Sequence, residues 1–105
     1  MIEKILVQIE GLINSKSKLG TIRGVRFEGE EITPALETVA TVLGVNIAEP
    51  KVDTDNSNYH QIRSRLYSTA AHSDIIVELR SVEGKNIAVF VTKTPVAIVQ
   101  KLLQG

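Results

Sequence analysis

An acidic segment at residues 53–58 has the residue spacing with which calcium-binding loops begin. Asp53, Asp55 and Ser57 stand at alternate positions and carry the oxygen atoms that a hard cation prefers. Such a loop also needs glycine at its sixth position and a bidentate glutamate at its twelfth. Because Asn58 and Ser64 occupy those positions, we expect a solvated turn with local bonds from side chains to the backbone.

The two histidines, His60 and His72, are the next candidates for chemistry, since imidazole titrates near neutral pH. Neither stands at helical metal-binding spacing from a second histidine or a carboxylate. The sequence contains no cysteine nucleophile, no Gly-x-Ser-x-Gly turn and no glycine-rich phosphate loop. We therefore predict no catalytic residue, no metal site and no cofactor.

Asp74 begins one apolar strand and Lys93 ends the next one. Over about 20 residues this arrangement resembles the core of the PD-(D/E)xK nuclease superfamily, in which an aspartate and a following Glu-x-Lys hold a divalent metal ion. The resemblance implies a nuclease site at Asp74 and Lys93. However, Val91 occupies the acidic position two residues before Lys93. Since a hard cation needs clustered carboxylates, the implied domain is degenerate unless another acid, such as Glu10 or Glu28, joins the pair.

Four arginines form the candidate nucleic-acid surface: Arg23 and Arg26 around the first strand, and Arg63 and Arg65 later in the chain. If both pairs shared a face, they would be placed to bind phosphates. The 12 acidic residues balance the 12 basic ones, and the chain has 4% aromatic residues and no tryptophan. A neutral chain with few rings lacks the general field and the stacking surface of a nucleic-acid binder. We favour a mixed solvated surface and keep nucleic-acid binding as the alternative.

The composition predicts one globular domain spanning residues 1–105. The apolar fraction of 43% and the charged fraction of 23% are ordinary for a soluble protein of this size. With no cysteine, disulfides and thiolate metal sites are excluded. The longest apolar run is far below the roughly 18 residues of a membrane span, and the N-terminus lacks the signal-peptide pattern. We expect a cytoplasmic protein without membrane contact.

A β-hairpin is the element that the sequence predicts most clearly. Two β-branched runs, 75–81 and 87–92, flank a short polar turn. If residues 82–84 form a three-residue loop, Gly84 takes the left-handed position that such loops require. That loop pairs Ile75 with Val91 and Leu79 with Ile87.

The predicted register divides the hairpin into two faces. One face is aliphatic and is expected to form the core; its members are Ile75, Val77, Leu79, Ile87, Val89 and Val91. Ile76 and Phe90 lie on the opposite face among charged residues. Since exposed apolar residues often mark an interface, Ile76 and Phe90 are the candidate contact residues for a protein partner.

Apolar residues at helical spacing predict three helices. The first covers residues 1–14, and its apolar stripe includes Ile5 and Ile9. A Thr33-Pro34 step begins the second helix, which Gly44 ends, and a Thr94-Pro95 step begins an apolar helix that runs to the last residue. Threonine is a good N-cap and proline suits the first helical position.

The middle of the chain is the least certain part. Residues 48–58 are polar and are expected to form a mobile loop. Residues 59–71 fit a helical spacing (Tyr59, Ile62 and Leu66) but also alternate as a strand would. We favour a helix there and keep the strand as the alternative.

These patterns together predict an α+β domain. A three- to five-stranded antiparallel or mixed sheet, with a central hairpin at about 75–93, is packed by N-terminal, middle and C-terminal helices. We expect a non-enzymatic protein that acts through protein contacts, as a homo-oligomer or as an assembly or regulatory subunit. Its partner would be itself or another protein. The alternative is a nucleic-acid-binding or degenerate nuclease-like domain.

Overall fold

A computed structural model describes residues 1–16, 22–56 and 58–104, and these ranges contain three α-helices and one five-stranded sheet. The elements are α1 (Ile2–Asn14), β1 (Arg23–Phe27), a 3-10 turn (Gly29–Glu31), α2 (Ile32–Leu43), β2 (Val52–Asn56), β3 (Ile62–Tyr67), β4 (Ile75–Val82), β5 (Lys85–Lys93) and α3 (Val96–Leu103). The strand order is β1-β5-β4-β3-β2, and every neighbouring pair is antiparallel. The predicted α+β class is confirmed.

The main core lies between the sheet and the first two helices, on the side that we call the helix face. The apolar stripe of α1, with Ile5 and Ile9, and that of α2, with Val39 and Leu43, are buried there. The strands contribute Phe27, Tyr67, Ile75, Val77, Leu79, Val89 and Val91. The predicted packing of the hairpin against the first two helices is therefore confirmed, except for Ile87, which is exposed and lies outside the core.

The central hairpin has the predicted strands but a different turn. Its loop has two residues, Glu83 and Gly84, both with positive φ (52° and 81°), as in the tight turns that join twisted strands. A β-bulge follows between Arg80 and Ser81. Turn and bulge each move the pairing by one residue, so Leu79 faces Val89 instead of the predicted Ile87.

Residues 48–71 contain a second hairpin: the mobile loop and the helix that we favoured are wrong, and the strand that we kept as the alternative for residues 59–71 is confirmed. β2 (Val52–Asn56) lies where we expected a mobile loop, and β3 (Ile62–Tyr67) lies where we favoured a helix. In β3 the alternation decides, because it buries Tyr67 against the core while Ile62 and Leu66 point to the other side. The Tyr67 hydroxyl also donates a hydrogen bond to the carbonyl of Ile47 (3.1 Å), which fixes the connection after α2.

Neither threonine of the two Thr-Pro steps caps a helix, contrary to our prediction. α2 begins at Ile32, because the 3-10 turn already delivers the chain in helical conformation. An N-cap needs a non-helical backbone, whereas Thr33 lies inside the first turn. α3 begins at Val96 with Pro95 as its N-cap and no side-chain bond. Gly44 ends α2 in the left-handed conformation (φ 67°), as predicted.

The three helices are short. α1 has 13 residues, α2 has 12 and α3 has 8, whereas a membrane span needs about 20 apolar residues. In the described ranges, no helix has the length and apolar character to cross a membrane.

Candidate functional site

The side of the sheet opposite the helix face, which we call the open face, carries a mixture of apolar and charged side chains. Since successive strand residues point to opposite sides, the residues between the core positions form this face. One row across the sheet consists of Arg26, Phe90, Glu78, Leu66 and Val52, and a neighbouring row of Gly24, Thr92 and Ile76. The open face is thus less apolar than the helix face, but it is not simply polar.

Helix α3 lies against one end of the open face. Its Val99 is buried, as are Ile76 and Ala88 of the sheet, and all three lie outside the main core cluster. Ile98 and Leu102 are 43% and 48% exposed. Because they are four residues apart, they lie on the same side of the helix. α3 therefore buries one side and leaves a second apolar side uncovered.

A cavity of about 280 Å³ separates α3 from the strands of the open face, and we call it the open-face cavity. It is lined by Ile22, Leu66, Ile76, Glu78, Thr92, Thr94, Ile98 and Leu102. The lining is mainly aliphatic, with the carboxylate of Glu78 as its charged group. The hydroxyl of Thr94 is buried without a hydrogen-bond partner in the described part of the chain. A cavity of this composition accepts an apolar group.

Phe90 stands beside this cavity between two arginines. The guanidinium groups of Arg26 and Arg80 each lie 5.1 Å from the centre of the Phe90 ring, which is within cation–π range. Arg26 forms an ion pair with Glu28, and Arg80 forms one with Glu78 (Nη2 to Oε1, 3.2 Å). Two arginines and two glutamates thus surround the ring, and their formal charges cancel.

The two predicted interface residues, Ile76 and Phe90, are both on the open face, but their surroundings differ. Phe90 is partly exposed and pairs with Glu78 across the strands. Ile76 is only 6% exposed, and it lines the open-face cavity. Sequence reasoning missed Ile98 and Leu102, the most prominent apolar residues here. A signal was present, because six of the eight residues of α3 are apolar, which gives the helix a wider apolar side than one contact needs.

Asp74 and Lys93 lie close together, but beside the C-terminal end of α1 and, in the described part of the chain, not in a cluster of carboxylates. The Lys93 ammonium lies 3.6 Å from Oδ2 of Asp74 and donates hydrogen bonds to the carbonyls of Ile13 (2.7 Å) and Ser15. These carbonyls belong to the C-terminal end of α1, where a cation is favoured. Lys93 therefore ties α1 to β5.

The residues that would complete a metal site beside this pair are also constrained. Val91 is fully buried in the core and faces Val77 across the hairpin. In residues 1–16, 22–56 and 58–104, no three side chains of His, Asp or Glu come together in a group able to hold a metal ion. The nuclease-like interpretation of Asp74 and Lys93 stays a prediction, and their observed contacts are structural.

The four arginines predicted to bind nucleic acid do not share one face. Arg23 and Arg26 lie on opposite sides of β1, since an odd number of peptide steps separates them. Arg63 and Arg65 lie on the helix-face side of β3, which is separated from β1 by two strands. Nucleic-acid binding by this set stays a prediction.

Arg63 is engaged in an ion pair with Asp53 at the outer edge of the sheet. Its Nε donates to Oδ1 of Asp53 (2.8 Å) and its Nη2 contacts Oδ2, so the pair is bidentate. The hydrogen bonds from Arg63 lower the pKa of Asp53, and the same pair raises the pKa of Arg63. The acidic segment that began with Asp53 thus pairs with β3.

Comparisons with known proteins identify no relative of this chain: no protein-family model, no curated protein and no solved structure matches it. Residue roles must therefore be inferred from the contacts, burial and charges of the chain itself. The open face combines exposed apolar side chains, a cavity and balanced charges, and it is our candidate functional site.

Proposed function

We propose that this protein is a non-enzymatic cytoplasmic module that acts through protein contacts made by its open face, as a homo-oligomer or as a subunit of a larger assembly. One observation carries the proposal. Ile98 and Leu102 of α3, and Ile22 just before β1, remain exposed around the open-face cavity.

The arrangement of the exposed apolar residues supports this proposal more than their number does. Single exposed apolar side chains are normal on a protein surface, whereas a contiguous group is informative. Ile22 is 60% exposed, and it lines the same cavity as Ile98 and Leu102. Burial of each such side chain against a partner is favourable by roughly 25 cal/mol for every Å² of apolar surface removed from water.

The charged residues of the open face also fit a contact surface. Interfaces are enriched in arginine and aromatic residues and have a polar rim around an apolar centre. Here Arg26 and Arg80 flank Phe90, and each arginine is held by a glutamate. Such ion pairs are solvent-screened and contribute little affinity, but they favour one orientation of a partner over others.

Analytical ultracentrifugation of three proteins tests the proposal. Wild type, Leu102→Glu and Val7→Glu are each compared over about 1 μM to 1 mM, which spans weak and moderate association. Leu102→Glu places a charge on the uncovered side of α3. Val7→Glu is the matched control, since Val7 is 68% exposed on α1, on the other side of the sheet.

We expect wild type and Val7→Glu to associate with rising concentration and Leu102→Glu to remain monomeric. Two results contradict the proposal. In one, wild type stays monomeric and a pull-down recovers no partner that the Leu102→Glu variant loses. In the other, Val7→Glu abolishes association while Leu102→Glu has no effect.

A further inference from the structure

We propose that the partner of the open face is a second copy of this chain, related by a two-fold axis, with Phe90 of each copy inserted into the open-face cavity of the other. This inference rests on the proposed function and names the occupant of its surface. It is carried by the positions of Phe90 and the cavity, by the charges around them and by the size of the face.

Phe90 is the ring on the sheet that is positioned to enter a partner. Of the other three rings in the chain, those of Phe27 and Tyr67 are buried in the core, and Tyr59 lies in the turn between β2 and β3. Stacking by Arg26 and Arg80 on the Phe90 ring restricts its orientation. A ring that is already held loses less side-chain entropy on binding.

The open-face cavity is adjacent to Phe90 on the same surface. Glu78, which faces Phe90 across β4 and β5, lines the cavity, so the two features are about one strand spacing apart, roughly 5 Å. In a two-fold contact, if one residue of the first copy touches a second residue of the other copy, the same two residues also touch with the copies exchanged. An axis running between Phe90 and the cavity therefore sets each ring opposite the partner's cavity.

The charges of the open face are self-complementary, which a two-fold contact requires. Arg26 and Arg80 supply two positive charges, and Glu28 and Glu78 supply two negative ones. A copy of this surface thus presents acids that can meet the arginines of the first copy, and the contact has no net repulsion. The whole chain is also neutral, with 12 basic and 12 acidic residues, so little long-range repulsion opposes the approach.

The open face comes close to the area that such a dimer needs. Five strands about 4.8 Å apart with a rise of about 3.3 Å per residue give a surface of roughly 20 Å by 20 Å. Its projected area of about 400 Å² excludes the relief of the side chains and the uncovered side of α3. A specific dimer needs about 500 Å² from each copy, since the lower limit for the total is about 1,000 Å².

A complementation experiment tests the reciprocal insertion. Phe90→Ala removes the ring and keeps the cavity, whereas Ile98→Trp fills the cavity from α3 and keeps the ring. A homodimer of either variant has no ring in a cavity. A mixed dimer has one, because Phe90 of the Ile98→Trp chain enters the cavity of the Phe90→Ala chain.

Ultracentrifugation of each variant alone and of their equimolar mixture gives the readout. Truncating a buried aromatic anchor costs at least about 30-fold in affinity. Each variant alone loses two anchors and should dimerise about 1,000-fold more weakly than wild type. The mixture should dimerise about 30-fold more tightly than either variant, and recovery on mixing also shows that both variants are folded.

Other outcomes overturn the inference and separate it from the proposed function. If wild type dimerises and Leu102→Glu prevents this, but mixing restores nothing, the reciprocal insertion is wrong and the contact surface stands. A wild type that forms filaments, or that native mass spectrometry finds with a small apolar molecule in place of a second copy, also contradicts the two-fold pairing. If wild type is monomeric and has no partner at all, both proposals fail.

Discussion

The two faces of the sheet are built from the same strands but are closed in different ways. On the helix face, α1 and α2 bury a continuous aliphatic layer, in which Val77, Val89 and Val91 are fully buried. On the open face, the eight-residue α3 covers only part of the strands and leaves a cavity beside its own apolar side chains. Strand alternation provides both surfaces, and the helices cover the centre of the helix face more fully than they cover the open face.

Because of this difference, the helix face should determine the stability of the monomer and the open face should determine association. A buried aliphatic side chain contributes roughly 1.5–3 kcal/mol, so the helix face holds the fold together. The residues of the open face contribute less to the monomer, because part of their apolar surface remains in water. That surface becomes favourable to bury when another molecule covers it. Substitutions on the two faces should therefore change different quantities.

Two isoleucine-to-alanine substitutions should show the largest contrast between the faces. Ile9→Ala removes a fully buried side chain from the helix face and should lower the free energy of unfolding by about 2–5 kcal/mol. Ile98→Ala on α3 should lower it by less than about 1 kcal/mol. Urea denaturation at low protein concentration measures both without a contribution from association.

When self-association is measured instead of stability, Ile98→Ala should have the larger effect of the two substitutions. Ile98→Ala should weaken self-association, whereas Ile9→Ala should leave it unchanged under conditions where the variant is folded. Equal losses of stability from the two substitutions would remove the distinction between the faces.

Removal of the ammonium of Lys93 should give the second largest effect, at the end of α1 on the helix face. Lys93→Met keeps the aliphatic stem but leaves the carbonyls of Ile13 and Ser15 without their charged donor. A hydrogen bond to a charged group is worth about 1.5–3 kcal/mol, so we expect a loss of this order in urea denaturation. Lys85→Met is the control, because Lys85 is exposed on the same strand. A Lys93→Met variant as stable as its control would contradict the role of Lys93 in joining α1 to the sheet.

The smallest effect should come from the uncovered outer edge of the helix-face side, where Asp53 pairs with Arg63. Because this pair lowers the pKa of Asp53 in the folded chain, Asp53 stabilises the fold above its unfolded pKa and loses this contribution as the pH falls through its lower folded pKa. The stability difference between wild type and Asp53→Asn should therefore be fully present at pH 7, shrink as the pH falls below about 4, and disappear only below the lowered folded pKa of Asp53.

Thermal unfolding from pH 7 to pH 2.5 measures this difference, and added salt should reduce it, since the pair is exposed. Glu30→Gln, at an exposed acid away from this pair, is the control and should stay closer to wild type at pH 7. A difference for Asp53→Asn that grows as the pH falls would have the wrong sign.

The residues of the helix face could be predicted from the sequence because two errors in the predicted hairpin register, in the turn and at the bulge, largely cancelled each other. The turn is one residue shorter than predicted, and the bulge at Arg80 and Ser81 adds a second shift. Since a single shift exchanges the two faces and a second restores them, Val77 and Leu79 still meet core residues. Ile87, the residue at the bulge, is the exception and is 41% exposed.

The second hairpin could not be predicted with the same rules. β2 has the sequence Val-Asp-Thr-Asp-Asn, which has low β-propensity, and it pairs with a neighbour on one side only. Charged residues are common on such edge strands because they prevent unwanted pairing. The segment became a strand through its contact with β3, and local sequence preference does not contain that information.

Only one part of the candidate site, the position of Phe90, could be predicted from the sequence. Phe90 follows from strand alternation alone, which assigns it to the face opposite Val89 and Val91. The cavity depends on where α3 packs, and a short helix in which six of the eight residues are apolar does not specify which part of its wide apolar side it buries. Ile98 and Leu102 could be recognised as uncovered only from the tertiary structure.

Methyl NMR spectra recorded during dilution test the central claim, that the open face is a contact surface for a second copy. Isoleucine and leucine methyl groups occur on both faces, so one sample reports on both. We expect concentration-dependent shifts at Ile22, Ile98 and Leu102, with Ile5 and Ile9 of the core unchanged. Spectra that do not change with concentration, or shifts confined to the exposed side of α1 around Val7, would contradict this claim.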